Sequence, residues 1–133
     1  MLDGIRTKMS AYSQAWWIAG GWAIDLHLGQ QHRPHNDVDI AVLRRDQKKL
    51  RSCFSGWSLQ KVVSGLPAPW LTSEALELPI HEVHARRDDE HLEFLLNEVD
   101  GDAWLFRRNL SISMPLDRVS RLSSEGIPYL CPE

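Results

Sequence analysis

The sequence predicts an α/β or α+β domain in which helices flank one mixed β-sheet. Segments of helical character alternate with strand-like segments in the first half of the chain, and several further strand-like segments follow in the second half. No linker or internal repeat divides the 133 residues. That length suits one hydrophobic core better than two. We therefore expect a single domain over residues 1–133.

The first half of the chain is predicted to alternate helix and strand three times. A short apolar run ends in Gly20-Gly21 and is followed by a helix with Gly29 as its C-cap. The segment beginning at Asp37 is rich in β-branched and apolar residues behind a polar leading end, which is typical of a buried central strand. The predicted elements are a helix at 3–15, a strand at 17–19, a helix at 22–28, a loop at 30–36, a strand at 37–43, a helix at 46–54 and a strand at 57–63.

The second half is predicted to be mostly strands and turns. Three prolines in residues 64–79 indicate a loop, with a short helical stretch at 73–76. Asp100-Gly101 is a hairpin signal. The predicted strands are 81–85 and 91–99 around a charged turn at 86–89, then 104–107 and 110–113, followed by a helical turn at 117–124 and an end, 126–133, without a terminal helix.

Composition excludes several classes of protein. The formal net charge of -3 argues against a protein that coats nucleic acid or a membrane surface by bulk electrostatics. No apolar stretch reaches the roughly 18 residues of a spanning helix, and the first residues lack the apolar run of a signal peptide. Cys53 and Cys131 are too far apart to form a Cys-x-x-Cys motif. We expect a cytoplasmic protein with reduced thiols.

Asp37 and Asp39 are the first candidates for chemistry. Side chains two apart on a strand point to the same face, with Cα atoms about 6.6 Å apart, so the two carboxylates would converge above the sheet. Mg²⁺ prefers one or two carboxylates together with water and substrate phosphates. Two ions could share such a pair and stabilise both the attacking and the leaving oxygen of an in-line displacement.

The residues around these aspartates suit a phosphate ligand. Gly20-Gly21 at the start of a helix offers bare amide groups at the positive end of the helix dipole. Arg33 and His35 lie just upstream of the aspartates, where a guanidinium or an imidazole could reach a phosphate oxygen. The combination predicts a site for a ligand that carries phosphates, bound together with Mg²⁺.

Other readings of the charged residues carry less weight. His-x-x-His spacing occurs at His32 and His35 and again at His81 and His84, but without the cysteine pair or glutamate of familiar zinc motifs, so hydrogen-bonded histidines are favoured. The basic cluster between residues 44 and 51 is read as a solvated helix face. We expect Asp25 to form an ion pair with Arg33, and Cys53 to be a buried small hydrophobe.

One stretch of the sequence resembles a known group of proteins. It runs from Trp17 through Gly20-Gly21 to Asp25 and continues with Gly29, Arg33, His35 and Asp37-Val-Asp-Ile40. It is similar to the aminoglycoside 2″-adenylyltransferase-like and lincosamide nucleotidyltransferase-like members of the DNA polymerase β-type nucleotidyltransferase superfamily. The match is strongest over residues 16–42 and weaker near Glu93 and at 126–133. It implies the nucleotidyltransferase fold.

The resemblance implies an antibiotic-resistance enzyme. It would transfer AMP or another nucleoside monophosphate from ATP or a related triphosphate to a hydroxyl of a small molecule, such as an aminoglycoside or lincosamide. It also implies a third metal carboxylate on a later strand, for which Glu93 is the first choice and Glu98 the second. Gly20, Gly21, Arg33 and His35 would bind the nucleotide.

A second hypothesis comes from the end of the sequence. Relatives continue into a helical segment that helps to bind the acceptor, and this segment is expected to be lacking here. The chain could instead be a minimal nucleotidyltransferase module that is non-catalytic or acts with a partner protein, as in toxin–antitoxin pairs or protein AMPylation. A homodimer is also left open.

Overall fold

The computed structural model of the chain describes residues 2–29, 38–106, 109–124 and 126–130. In this part of the chain the helices are α1 (Leu2–Lys8), α2 (Gly20–Leu28), α3 (Gln47–Cys53) and α4 (Leu116–Val119), with a 3₁₀ turn at Arg44–Asp46. The strands are β1 (Trp16–Ala19), β2 (Asp39–Leu43), β3 (Ser58–Val63), β4 (Leu66–Pro69), β5 (Glu82–Arg87), β6 (Glu90–Asp100), β7 (Ala103–Phe106), β8 (Asn109–Pro115), β9 (Ser120–Leu122) and β10 (Pro128–Leu130).

The strands join in one mixed sheet, as predicted. Eight of them follow the order β4-β3-β5-β6-β2-β1-β10-β9, while β7 pairs with β6 and with β8 off this path. Strand β2 runs antiparallel to β1 and parallel to β6. Because β2 is bonded along both edges, the residue at its start has a backbone fixed by two neighbours.

Strand β2 is buried on both faces. Ile40, Ala41, Val42 and Leu43 are at most 1% exposed. Since successive side chains of a strand point to opposite faces, burial of all four requires cover on each side of the sheet. The prediction of a central strand from its β-branched and apolar run is confirmed.

The main core lies on the face of the sheet covered by helices. Ile5 of α1, Ala23 of α2 and Leu50 of α3 share this core with Ile18 and Ile40 of the central strands. Burial of apolar side chains contributes roughly 25 cal/mol per Å² removed from water, so this layer is the main source of stability. It also holds α2 against the sheet directly behind the β1–α2 turn.

A second, smaller cluster lies on the opposite face. It contains Trp17, Ala19, Ala41 and Leu43, with Leu95 among the side chains packed against it. Side chains two apart share a face, so the first residue of β2 and the residue two before Leu95 belong to this same face. The cluster therefore fixes the face on which the candidate acidic residues lie.

Three predictions for local structure are wrong. Residues 73–76 are not helical, because Gln47 and Trp70 bind their backbone: Leu76 N donates to Gln47 Oε1 (2.7 Å) and Trp70 Nε1 donates to Glu74 O (2.9 Å). An isolated helical turn is too weak to resist such contacts. Within the predicted loop at 64–79, only residues 66–69 differ, because they form edge strand β4, where missing N–H groups are tolerated. The first helix ends at Lys8 rather than near residue 15.

The two ends of the predicted helical turn at 117–124 behave differently. The first residues form α4, but Ser120 has extended backbone angles and begins β9, which pairs with the unpredicted strand β10. Strand β10 has three residues, and its backbone pairs with β1 on one side and β9 on the other. Pairing of that kind depends on tertiary context and leaves little periodicity in the sequence.

Cys53 packs against the main core and is partly buried, and burial raises the pKa of its thiol. This agrees with the small-hydrophobe interpretation. Cys131 lies outside the described residues. No helix within the described ranges has the length and apolar character needed to cross a membrane.

Candidate active site

Asp39 is the first residue of β2 and lies in register with its neighbours on both sides. Its Cα partners are Ala19 at the end of β1 and Glu93 on β6. The pairing with β6 begins one residue earlier, where Glu93 N donates to Val38 O (3.3 Å). Register partners present their side chains on the same face. Two carboxylates from strands far apart in sequence are thus placed side by side at the site.

Gly20 supports the carboxylate of Asp39 directly. Its φ of 64° lies in the left-handed region. A Cβ built on Gly20 would overlap Oδ2 of Asp39 and lie 3.3 Å from its Cγ. Only glycine satisfies both the angle and the space. The carboxylate therefore packs on bare backbone where β1 turns into α2.

Helix α2 brings its amino end to the same place. It begins at Gly20, immediately after β1, and its first turn contains no acidic residue. Its far end is tied to the sheet by a contact between His27 Nδ1 and the hydroxyl of Tyr129 (3.4 Å). The positive end of the helix dipole thus faces the region where Asp39 lies, and an anion would be favoured there.

Glu93 is surrounded by polar groups on its face of the sheet. His84 Nε2 lies 3.8 Å and His91 Nε2 lies 4.0 Å from Glu93 Oε1. His84 Nε2 also lies 2.6 Å from Glu82 Oε2. The Glu93 side chain is 19% exposed. A charged group at this depth needs polar surroundings, and the two imidazoles lie within 4.0 Å of it.

Glu98 occupies a different position. It lies five residues further along β6 and accepts a hydrogen bond from Arg44 Nε, forming an ion pair in which the side chains are 17% and 12% exposed. Arg44 also donates to Leu76 O (3.0 Å). Glu98 therefore helps to attach the 74–79 segment, and Glu93 is the glutamate in register with Asp39.

A cavity of about 910 Å³ lies at this other end of β6. Its walls include Arg44, Arg51, Trp70 and Glu98, and neither Asp39 nor Glu93 is among its lining residues. The guanidinium of Arg51 stacks 5.1 Å from the centroid of the Trp70 ring. The arginines of the predicted solvated helix face are therefore partly structural, because they pack on the segment that follows β4.

Some sequence predictions fall on residues that are not described. Asp37, Arg33 and His35 lie outside the described ranges, as does the Arg33 half of the predicted ion pair with Asp25. Their proposed roles in metal and nucleotide binding remain predictions. Asp39, Glu93, Gly20 and Gly21 are described, and the structure brings Asp39, Gly20 and Glu93 together.

The position of His84 and His91 beside Glu93 was not predicted from the sequence. The predicted strands on either side of the charged turn contained the needed signal. With Asp88 and Asp89 as a two-residue turn, antiparallel pairing matches His84 with Glu93 and Arg86 with His91. Counting outwards from the turn would have placed these residues on one face.

The fold is that of the nucleotidyltransferases. The chain aligns over 99% of its length with ANT(2″)-Ia in complex with adenylyl-2″-tobramycin, at a TM-score of 0.60 and 19% identity, covering 67% of that chain. It aligns over 99% of its length with the lincosamide antibiotic adenylyltransferase LnuA in its lincomycin-bound form, at a TM-score of 0.64 and 16% identity, covering 78% of that chain.

The family follows from the sequence itself. The model of the aminoglycoside-2″-adenylyltransferase family matches residues 1–128. The chain belongs to this family and is a nucleotidyltransferase, as the resemblance implied. Comparison with curated proteins gave no match.

Proposed function

We propose that this protein is a metal-dependent enzyme that transfers AMP, or another nucleoside monophosphate, from a nucleoside triphosphate to a hydroxyl of an antibiotic. The observation that carries the proposal is the contact of Asp39 with Gly20 at the start of α2, with Glu93 in register beside it. An aminoglycoside or a lincosamide is the proposed acceptor, since the two structural neighbours were solved with adenylyl-2″-tobramycin and with lincomycin.

The described residues fit a hard divalent cation. Asp39 and Glu93 offer carboxylate oxygens on one face, and Asp37 is expected to add a third group two residues before Asp39. A Cβ on Gly20 would overlap the Asp39 carboxylate, so this carboxylate packs closely against the Gly20 backbone. Bound Mg²⁺ would neutralise charge on the triphosphate, both at the α-phosphate that the acceptor hydroxyl attacks and on the pyrophosphate that leaves.

The remaining work falls to groups of the chain itself. The amides at Gly20 and Gly21 would hold phosphate oxygens, because no Cβ blocks their approach and the helix dipole favours an anion. Arg33 and His35, just upstream of the aspartates in sequence, are proposed to contribute to binding of the triphosphate. Positioning and fixed charge of this kind supply most of the rate enhancement in phosphoryl transfer.

The test is transfer of radiolabel from the α-phosphate of ATP and of the other triphosphates to a panel of aminoglycosides and lincosamides, separated by thin-layer chromatography. We expect labelled antibiotic with Mg²⁺ and none when the ion is removed by EDTA. Nucleotide binding without transfer would favour the non-catalytic or partner-dependent module. Label on a polypeptide band would indicate protein AMPylation.

The two glutamates of β6 give a paired prediction. Glu93→Gln is expected to lower transfer roughly 10²-fold or more, because a carboxylate of the site loses its charge. Glu98→Gln is expected to leave transfer within a few-fold of the parent and to lower the free energy of unfolding by about 1–3 kcal/mol, because Arg44 loses its partner. Urea unfolding and the label assay measure both quantities. Loss of transfer in Glu98→Gln alone would reverse the assignment.

A further inference from the structure

Two histidines and a glutamate form a compact cluster beside the candidate active site. His84 lies on β5, and His91 and Glu93 lie on β6. One ligand atom from each of the three lies within 4.8 Å of the others. The two imidazole rings are 5.1 Å apart between centroids. The side chains are 18%, 25% and 19% exposed, so the cluster is partly buried, and His91 Nε2 itself is a buried atom.

The hairpin geometry fixes this cluster. His84 pairs with Glu93 across the β5–β6 ladder, and His91 shares a face with Glu93 because it lies two residues before it. Glu82 Oε2 lies 2.6 Å from His84 Nε2, so an ion bound through this nitrogen would replace that contact. The backbone positions of the three ligand residues are thus set by main-chain hydrogen bonds, and only side-chain rotation remains to be adjusted.

The donor set distinguishes the cluster from a magnesium site. Two imidazoles and one carboxylate, with an open fourth position, form a ligand set that zinc enzymes use. Mg²⁺ binds oxygen ligands in preference to imidazole. Ligand atoms about 2.0–2.2 Å from a tetrahedral ion are about 3.4 Å apart. The two distances from the histidines to Glu93, 3.8 and 4.0 Å, would shorten by roughly half an ångström, and the separation of the two histidine nitrogens, at most 4.8 Å, would shorten by up to about 1.4 Å.

We propose that His84, His91 and Glu93 bind a divalent transition-metal ion of the zinc class. The ion is bound by two ring nitrogens and one carboxylate oxygen, and a water completes its coordination. This site shares Glu93 with the candidate active site. Zn²⁺ would therefore compete for a carboxylate of the magnesium site and inhibit transfer, a consequence that rests on the proposed function, whereas metal binding itself does not.

The test is titration of the full chain, free of any affinity tag, with Co²⁺ at neutral pH. Visible absorption of bound Co²⁺ reports its coordination, and displacement by Zn²⁺ gives the zinc affinity. We expect tight binding that millimolar Mg²⁺ does not displace. His84→Gln and His91→Gln are each expected to weaken binding at least roughly tenfold.

Two variants serve as controls. His81→Gln removes a nearby histidine whose Nδ1 contacts Pro79 O (3.0 Å) and which is outside the cluster, so it should bind Co²⁺ like the parent. Asp39→Asn should also retain Co²⁺ while losing transfer, which separates this proposal from the proposed function. X-ray absorption of the parent's Zn²⁺ complex should show two imidazoles and does not depend on how the variants fold.

The proposal is overturned if the parent binds neither Co²⁺ nor Zn²⁺, or if both histidine variants bind as the parent does. It is also overturned if Asp39→Asn or His81→Gln loses the ion, since the ion would then occupy a different place. The proposal is overturned as well if the X-ray absorption spectrum of the Zn²⁺ complex shows no imidazole scattering.

Discussion

Asp39→Asn should reduce nucleotide transfer by roughly 10²- to 10³-fold or more while the protein remains folded. The amide has nearly the size and shape of the carboxylate, so its packing on Gly20 is kept, but the negative charge that attracts a cation is lost. Initial rates of label transfer at saturating ATP and acceptor measure the effect. Urea unfolding and circular dichroism establish that the fold is unchanged.

The matched control for this variant is Asp102→Asn, because Asp102 is an exposed aspartate in the turn that follows β6. It is expected to transfer label at the parent's rate. Equal activity of Asp39→Asn and the parent would contradict the assignment of the site. Equal loss in both variants would mean that the charge of the whole protein, rather than one position, controls the reaction.

Gly20→Ala is expected to impair both transfer and stability. The methyl group would overlap Oδ2 of Asp39 and force the carboxylate away from the start of α2, and an alanine at φ 64° adds about 1–2 kcal/mol of backbone strain. We expect transfer to fall by roughly 10²-fold, because a displacement of the order of an ångström at a catalytic group can cost that much.

Gly101→Ala separates the two causes. Gly101 has a φ of 61°, close to that of Gly20, and nothing lies within 4 Å of its would-be Cβ. It should lose about the same stability from backbone strain and keep its activity. If Gly20→Ala were destabilised no more than Gly101→Ala and remained fully active, the packing of the Asp39 carboxylate against Gly20 would have no part in the reaction.

The local signals in the sequence were sufficient for the central elements. The apolar run ending in Gly20-Gly21 predicted β1 and α2, and the β-branched segment predicted β2, because each of these has a strong pattern within a few residues. Strands β4 and β10 have no such pattern. Strand β4 contains two prolines, and β10 has three residues. Each forms because its backbone can hydrogen-bond to a neighbouring strand.

The candidate site could be predicted only in part for the same reason. Asp39 and Gly20 belong to one continuous motif, whereas the choice between Glu93 and Glu98 depends on the register of β6 against β2. Residues so far apart in sequence carry no local trace of that register, and a slip of one residue would turn Glu93 to the opposite face. The assignment of Glu98 to Arg44 likewise required the packed structure.

The bonding of β2 along both edges has one more consequence. Its first residue cannot shift its main chain unless β1 or β6 separates from it, and Gly20 blocks part of the volume around the side chain. Torsion about the side-chain bonds of Asp39 is the freedom that remains. A carboxylate held in this way loses little conformational entropy when it binds a ligand, and any closing movement around such a ligand must come from other parts of the molecule.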